Sequence, residues 1–337
     1  MNKLIIVLTF LLFIGNTNAQ PVKIIFDTDF ALDVDDAGSL AILNTFINRH
    51  ECDLLGIVVS SALESYDGKW AVPAIDAINQ WYGHSNIPMG IFKGINPIKD
   101  DSSHYTKQVQ AAFPHSFRPG DPILEGYKLY RRLLSAQPDS SVKILSVGFL
   151  NNLAQLLMSP PDEFSSLNGW DLVNKKVKEW ICMGGSYPTG IEEFNFNIYS
   201  KSTKYVLANW PSKATFIGFE LGDKVFTGGV LNKMYRKEAN PVALSFYYYC
   251  QGNNRSSWDE ITTFYAVKGL GKYFEGIKGW NRKFIIDKIS VAEEREHGTN
   301  VWVDNPSGMH QYLKLKIPVP ELQKILDELI SAPPIKP

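Results

Sequence analysis

Residues 23–43 read KIIFDTDFALDVDDAGSLAIL and place Asp27, Asp29, Asp33, Asp35 and Asp36 within ten positions. Carboxylates this close repel one another, and their proton affinity rises unless a cation compensates. A hard divalent cation with oxygen ligands is the natural compensator. Asp35 and Asp36 also stand where a helical pattern begins, and negative charge is favoured at a helix N-terminus. An EF-hand does not fit, because the run lacks Gly at loop position six and Glu at position twelve.

The elements that must position these carboxylates alternate in type. An apolar strand over 22–26 runs into the acidic cluster. A helix over 37–47 leaves it, with Leu40, Ala41, Leu43 and Ile47 on its inner face. Further strands are predicted over 54–59, 142–147, 177–183 and 214–219. Helices are predicted over 71–82, 152–158 and 320–330. Near-continuous apolar strands with helices between them give an α/β fold, an open and mostly parallel sheet covered by helices on both faces. Ligands on such a sheet sit outside the carboxyl ends of the strands. The stretch 88–122 reads as a polar loop excursion, and 271–317 as irregular, with strand-like pieces at 284–286 and 312–315.

The chain has 337 residues, 45% of them apolar and 20% charged, with a formal net charge of -1. This is the composition of a folded globule rather than a disordered or collagen-like chain. No global positive charge points to a nucleic-acid partner. Three cysteines, Cys52, Cys182 and Cys250, are too few for a disulfide scaffold. The first 19 residues read as a signal peptide: Lys3, an apolar run over 4–14, and small residues at Thr17 and Ala19. The apolar run is short for a membrane span, and no later stretch reaches 18 apolar residues. The expectation is a periplasmic or secreted protein, free of the membrane after cleavage, with 20–337 as a single catalytic domain.

Two families use aspartates after a first strand. Asp27-Thr28-Asp29 resembles the pair of haloacid-dehalogenase-type phosphatases, but Ala31 stands where those enzymes carry Thr or Val. The closer resemblance is to the inosine–uridine-preferring nucleoside hydrolases, in a subgroup with the longer spacing Asp-Thr-Asp-x-x-x-Asp-x-Asp-Asp-Ala, matched by Asp27 to Ala37. Later blocks recur in order. Ser146-Val147-Gly148-Phe149-Leu150-Asn151-Asn152-Leu153-Ala154 is similar to Thr-Gly-Pro-Leu-Thr-Asn-Leu-Ala. Met183-Gly184-Gly185 and Glu193-Phe194-Asn195 match as they stand. Arg255-Ser256-Ser257-Trp258-Asp259 occupies the late His-Asp region.

The resemblance implies calcium-dependent hydrolysis of the N-glycosidic bond of ribonucleosides, as in salvage of purine or pyrimidine bases. It implies a Ca²⁺ ion held by Asp29, Asp36, Asp259 and the Val147 carbonyl, with Asp29 as general base. It places Asp35, Glu193 and Asn195 on the ribose and Trp258 on the base. Asp27 becomes a support behind the site, and Asp33 a loop-stabilising residue or pocket rim. Members are often dimers or tetramers, so a homo-oligomer is the matching expectation, with a small-molecule riboside as the binding partner.

Three departures bear on the leaving-group side. Trp258 replaces the family's His, and an indole exchanges no proton near neutral pH. Tyr66, Tyr187 and His297 are the conceivable substitutes. Leu63 takes the place of the ribose-binding Asn, with Ser61 or Glu64 as replacements. Phe149 and Asn151 replace Pro and Thr. These changes keep two alternatives open: a hydrolase of another N- or O-riboside, and a non-catalytic calcium-dependent nucleoside-binding protein.

Overall fold

The computed structural model describes residues 20–62, 66–95, 97–98, 105–118, 121–290 and 295–335. The expected signal peptide, and Leu63 and Glu64, lie outside the described residues, as does the side chain of Tyr66. The strands are β1 (Val22–Thr28), β2 (Cys52–Ala62), β3 (Met89–Phe92), β4 (Leu124–Glu125), β5 (Val142–Ser146), β6 (Val177–Met183) and β7 (Ala214–Ile217). They continue as β8 (Phe226–Thr227), β9 (Arg255–Ser256), β10 (Phe274–Ser290), β11 (Arg295–Asp304) and β12 (His310–Leu315).

Ten of these form one sheet in the order β11-β10-β12-β7-β6-β5-β1-β2-β3-β4. From β4 to β12 all neighbours run parallel. Only β10 is antiparallel, to β12 on one side and β11 on the other. β8 and β9 make a separate two-stranded ribbon.

β1 shows why the sheet is parallel and buried. Ile24, Ile25 and Phe26 are all fully buried. Ile24 and Phe26 pack on the face covered by the helices Asp35–Asn48, Tyr66–Trp81, Trp258–Lys268 and Val319–Ile330. Ile25 packs on the other face, under the helices Gly126–Ser135, Asn151–Met158, Gly169–Lys176 and Ser200–Asn209. Each such side chain contributes about 2 kcal/mol of burial, so a strand apolar at every position is held from both sides.

The chain leaves β1 toward β2, β3 and β4 on one side, then returns to β5 and builds β6 and β7 on the other. The crevice at the carboxyl ends of β1 and β5 is therefore a topological switch point, where ligands bind in open parallel sheets. The two strand ends come very close there. A Cβ on Gly148 would sit 2.4 Å from the Asp29 nitrogen and 2.6 Å from the Ser60 hydroxyl, so the backbone contact requires glycine.

Two segments differ from the sequence reading. The stretch 271–317 is not irregular: it contains β10, of 17 residues, paired with β11 as a long hairpin. Register shifts at Asn281/Lys283 and Ile286/Lys288 break the alternation of apolar residues, which hides the strand from a period-two search. The excursion 88–122 contributes β3 to the sheet and a helix Thr106–Ala112. Among the described residues, no helix is long and apolar enough to cross a membrane.

Candidate active site and metal centre

A cavity of about 340 Å³ opens at the switch point. Asp29, Asp35, Asp36, Val147, Glu193, Asn195, Trp258 and Asp259 all line it. So do Leu32, Asp33, Met183, Phe194, Phe219, Tyr249 and Arg255. Every residue expected to hold metal or substrate therefore faces one space.

Two helix starts converge on this space. Asp35 and Asp36 open the helix Asp35–Asn48, and Asp259 lies in the first turn of Trp258–Lys268. The Asp259 N–H donates to Asp35 Oδ2 at 3.3 Å, across 224 residues of chain. Oxygens of Asp35, Asp36 and Asp259 lie within 4.8 Å of one another. Asp36 also accepts a hydrogen bond from the Thr28 hydroxyl at the end of β1. Asp29 lines the same cavity, but its oxygens are not part of this three-carboxylate group. Asp35, expected on the ribose, is part of it.

These carboxyls are nearly inaccessible to water. Burial first, and then repulsion by their acidic neighbours, raises the pKa of Asp29, Asp35, Asp36 and Asp259 well above the ordinary carboxylate range. Three buried carboxylates without a matching cation of their own are the donor set of a hard divalent ion. Among the described residues no His or Cys joins the group, which disfavours a softer metal.

The Val147 carbonyl accepts from Asn195 Nδ2 at 2.7 Å. One lone pair of that oxygen remains. Asn195 Nδ2 also contacts the Met183 sulfur at 3.1 Å, so the amide spans the ends of β5 and β6, and its Oδ1 makes no hydrogen bond to a described residue. Glu193 caps the short helix Phe194–Ile198. Its carboxylate accepts from the N–H groups of Gly185 at 3.0 Å, Asn195 at 2.8 Å and Phe196 at 3.0 Å. Burial pushes this carboxyl up to about 7, against the pull of those bonds.

Asp27 does not line the cavity and faces the helix Gly126–Ser135. It accepts the Tyr130 hydroxyl at 2.8 Å. Asp33 forms a two-pronged ion pair with Arg255, whose Nη2 reaches Oδ2 at 2.6 Å and whose Nε lies 3.1 Å from both oxygens. Trp258 stacks on Phe219, with ring centroids 5.4 Å apart, and donates its indole N–H to the Phe219 carbonyl at 3.0 Å.

Of the conceivable proton donors, Tyr187 and His297 are not brought to the cavity. The Tyr187 hydroxyl donates to the Gly184 carbonyl and accepts from Asn281, and its ring stacks on Tyr312. His297 lies 3.3 Å from Glu192. Ser61 donates to the Asp29 carbonyl at 3.1 Å, so its hydroxyl fixes the loop. Asn151 and Asn152 donate to the carbonyls of Ser60 and Val59. They lock the start of their helix onto the end of β2.

Arg255, Tyr249 and Glu260 were not singled out by the sequence reading. Arg255 and Tyr249 sit in polar or aromatic runs with no spacing signal. Glu260 is fully buried, and neither carboxylate oxygen has a partner among the described residues. It packs against Gly38, where a Cβ would come within 2.3 Å of Glu260 Oε1.

No curated protein matches the chain in a sequence comparison. Several solved structures share its fold. An inosine-uridine preferring nucleoside hydrolase from Bacillus anthracis aligns with a TM-score of 0.62 and 15% identity, over 92% of this chain and 99% of that one. A purine-preferring ribonucleoside hydrolase from Gardnerella vaginalis gives 0.63 and 15%, over 92% and 98%. The type III effector protein XopQ, complexed with adenosine diphosphate ribose, gives 0.65 and 12%, over 93% of each chain. A family model described as inosine-uridine preferring nucleoside hydrolase matches residues 24–309. With the acidic switch-point cavity in place, this establishes that the chain belongs to the inosine-uridine preferring nucleoside hydrolase family.

Proposed function

We propose that this nucleoside hydrolase cleaves the N-glycosidic bond of ribonucleosides with Ca²⁺ at the Asp35–Asp36–Asp259 cluster and Asp29 as general base. The observation that carries the reading is the convergence of Asp35, Asp36 and Asp259 oxygens within 4.8 Å, beside Asp29 in one cavity. Asp36, Asp259 and the Val147 carbonyl would hold the ion, with Asp35 and Asp29 beside them. When bound, the ion neutralises the buried carboxylates and lowers the proton affinity of a neighbouring water.

Asp29 accepts a proton from the attacking water, whose oxygen bonds the anomeric carbon. Positive charge grows on the ribosyl ring in the transition state, and the surrounding carboxylates stabilise it. Asn195 Oδ1 accepts from a ribose hydroxyl and Glu193 lines the same side of the ring, which fixes it relative to Asp29. Phe219 and Trp258 form an aromatic wall for the base. The signal-like pattern of the first 19 residues supports export, with the reaction in the periplasm or outside the cell.

The test is Asp29→Ala with Ca²⁺ binding measured alongside turnover. We expect turnover to fall at least about a hundredfold, the scale of lost general-base catalysis, with Ca²⁺ binding detectable. Retention of a tenth or more of the activity would rule out Asp29 as the base.

A further inference from the structure

A residue of the acidic block and a residue of the late block meet in space. The longer acidic spacing introduces Asp33, and the late block carries Arg255 three residues before the Trp258 that stands in place of His. The structure pairs Arg255 with Asp33 through both Nε and Nη2. Both line the cavity that holds the four aspartates.

The guanidinium is fixed from several sides. Its Cζ lies 5.2 Å from the Trp258 ring centroid and 5.6 Å from that of Tyr249. The Asp33 backbone is held by the Tyr105 hydroxyl, which donates to its carbonyl at 2.8 Å. The Nη1 end makes no hydrogen bond to a described residue. Arg255 is the only Lys, Arg or His among the described residues lining the cavity.

The leaving base needs such a group. When the C1′–N bond breaks, the electron pair stays on the base nitrogen. Trp258 cannot protonate it, and the indole N–H is already committed to Phe219. Tyr187 and His297 lie elsewhere. Arginine does not give up its proton near neutral pH, so its contribution is a charged N–H donor aimed at the developing anion.

We propose that Arg255, oriented by Asp33, stabilises the negative charge that develops on the departing base. This rests on the ribosyl-hydrolase reading above. The step balances without a further reactant. Water supplies the hydroxyl that bonds C1′, its proton passes to Asp29, and the base departs with the bonding pair and takes a proton from solvent. Asp29 returns its proton to solvent. The ion pair argues against a phosphate site, because Asp33 already matches the Arg255 charge and the cavity is otherwise acidic.

The test compares two leaving groups in the Ca²⁺-loaded protein. Inosine and uridine expel poor leaving groups, whereas p-nitrophenyl riboside expels a phenolate that needs little assistance. Arg255→Met should lower kcat/KM on the nucleosides by about a hundredfold or more, the scale of one lost charge-stabilising donor. The same variant should lose less than about fivefold on p-nitrophenyl riboside, which also shows that it is folded. Arg255→Lys should recover part of the nucleoside activity, and Asp33→Asn should follow Arg255→Met in direction with a smaller loss.

Equal losses on both substrate types would overturn the proposal, as would no loss on nucleosides. A wild-type chain that cleaves p-nitrophenyl riboside alone would overturn it while leaving the ribosyl-hydrolase reading intact. A wild-type chain that cleaves neither would overturn both.

Discussion

Replacing Asp36 by Asn should have opposite effects on stability with and without metal. Asn keeps an oxygen to accept the Thr28 hydroxyl and removes one negative charge from a buried group. At the 4.8 Å limit of the cluster and an effective dielectric near 20, each ionised pair repels by about 3.5 kcal/mol. Asp36 has two such partners, Asp35 and Asp259. Their raised proton affinities mean that part of this repulsion is already relieved by protonation. A net gain of about 1–2 kcal/mol is therefore expected in the metal-free protein, or a Tm higher by a few degrees. With the ion bound, the same substitution removes a charged ligand. If affinity falls about a hundredfold, the stabilisation at saturating metal drops by about 2.7 kcal/mol. The assay is thermal unfolding of both proteins in excess chelator and in excess Ca²⁺, with calorimetric titration of the ion. A shift of the same sign and size in both conditions would refute the assignment of Asp36 to a metal site.

Trp258→Leu should raise KM for nucleosides about tenfold to a hundredfold, from the loss of base stacking, with a smaller change in kcat. A fall confined to kcat, read from initial rates over a range of substrate concentrations, would contradict a stacking wall. Gly38→Ala would place a Cβ 2.3 Å from Glu260 Oε1 and 2.8 Å from Ile330 Cδ1. It should destabilise the protein by about 1–3 kcal/mol through overpacking, and an unchanged denaturant midpoint would show that the helix pair yields without strain.

Much of the fold was legible because its signal is local and strong. β1, β2 and β6 are short runs apolar on both faces, flanked by glycine or acidic punctuation, and each appears where the pattern placed it. The helix Val319–Ile330 follows from Leu322, Ile325, Leu326 and Leu329 on one face. The β10–β11 hairpin was hidden because it is largely solvent-facing and bulged, so no single period survives along it. The helix Pro241–Cys250 was missed for a related reason: its tyrosines and phenylalanine suit a strand as well as a helix until Asn240 is seen capping it.

The candidate site divides in the same way. The aspartates after β1 are dense enough to announce a cation, and the late block supplies Asp259. Their order around the ion is a three-dimensional matter. Sequence separation does not reveal that Asp35 reaches the Asp259 backbone, or that Glu193 commits three of its lone pairs to N–H groups. The Asp33–Arg255 pair is invisible in one dimension, because 222 residues separate its members.

Ribose release tests the central claim most directly. The purified protein would be offered purine, pyrimidine and nicotinamide ribosides in excess Ca²⁺, then with a chelator, then with Ca²⁺ restored. The account requires ribose and free base in equal amounts, loss of release on chelation and recovery when the ion returns. No release from any riboside with Ca²⁺ demonstrably bound would contradict nucleoside hydrolysis at this site. Release that ignores the chelator would contradict the metal-dependent mechanism.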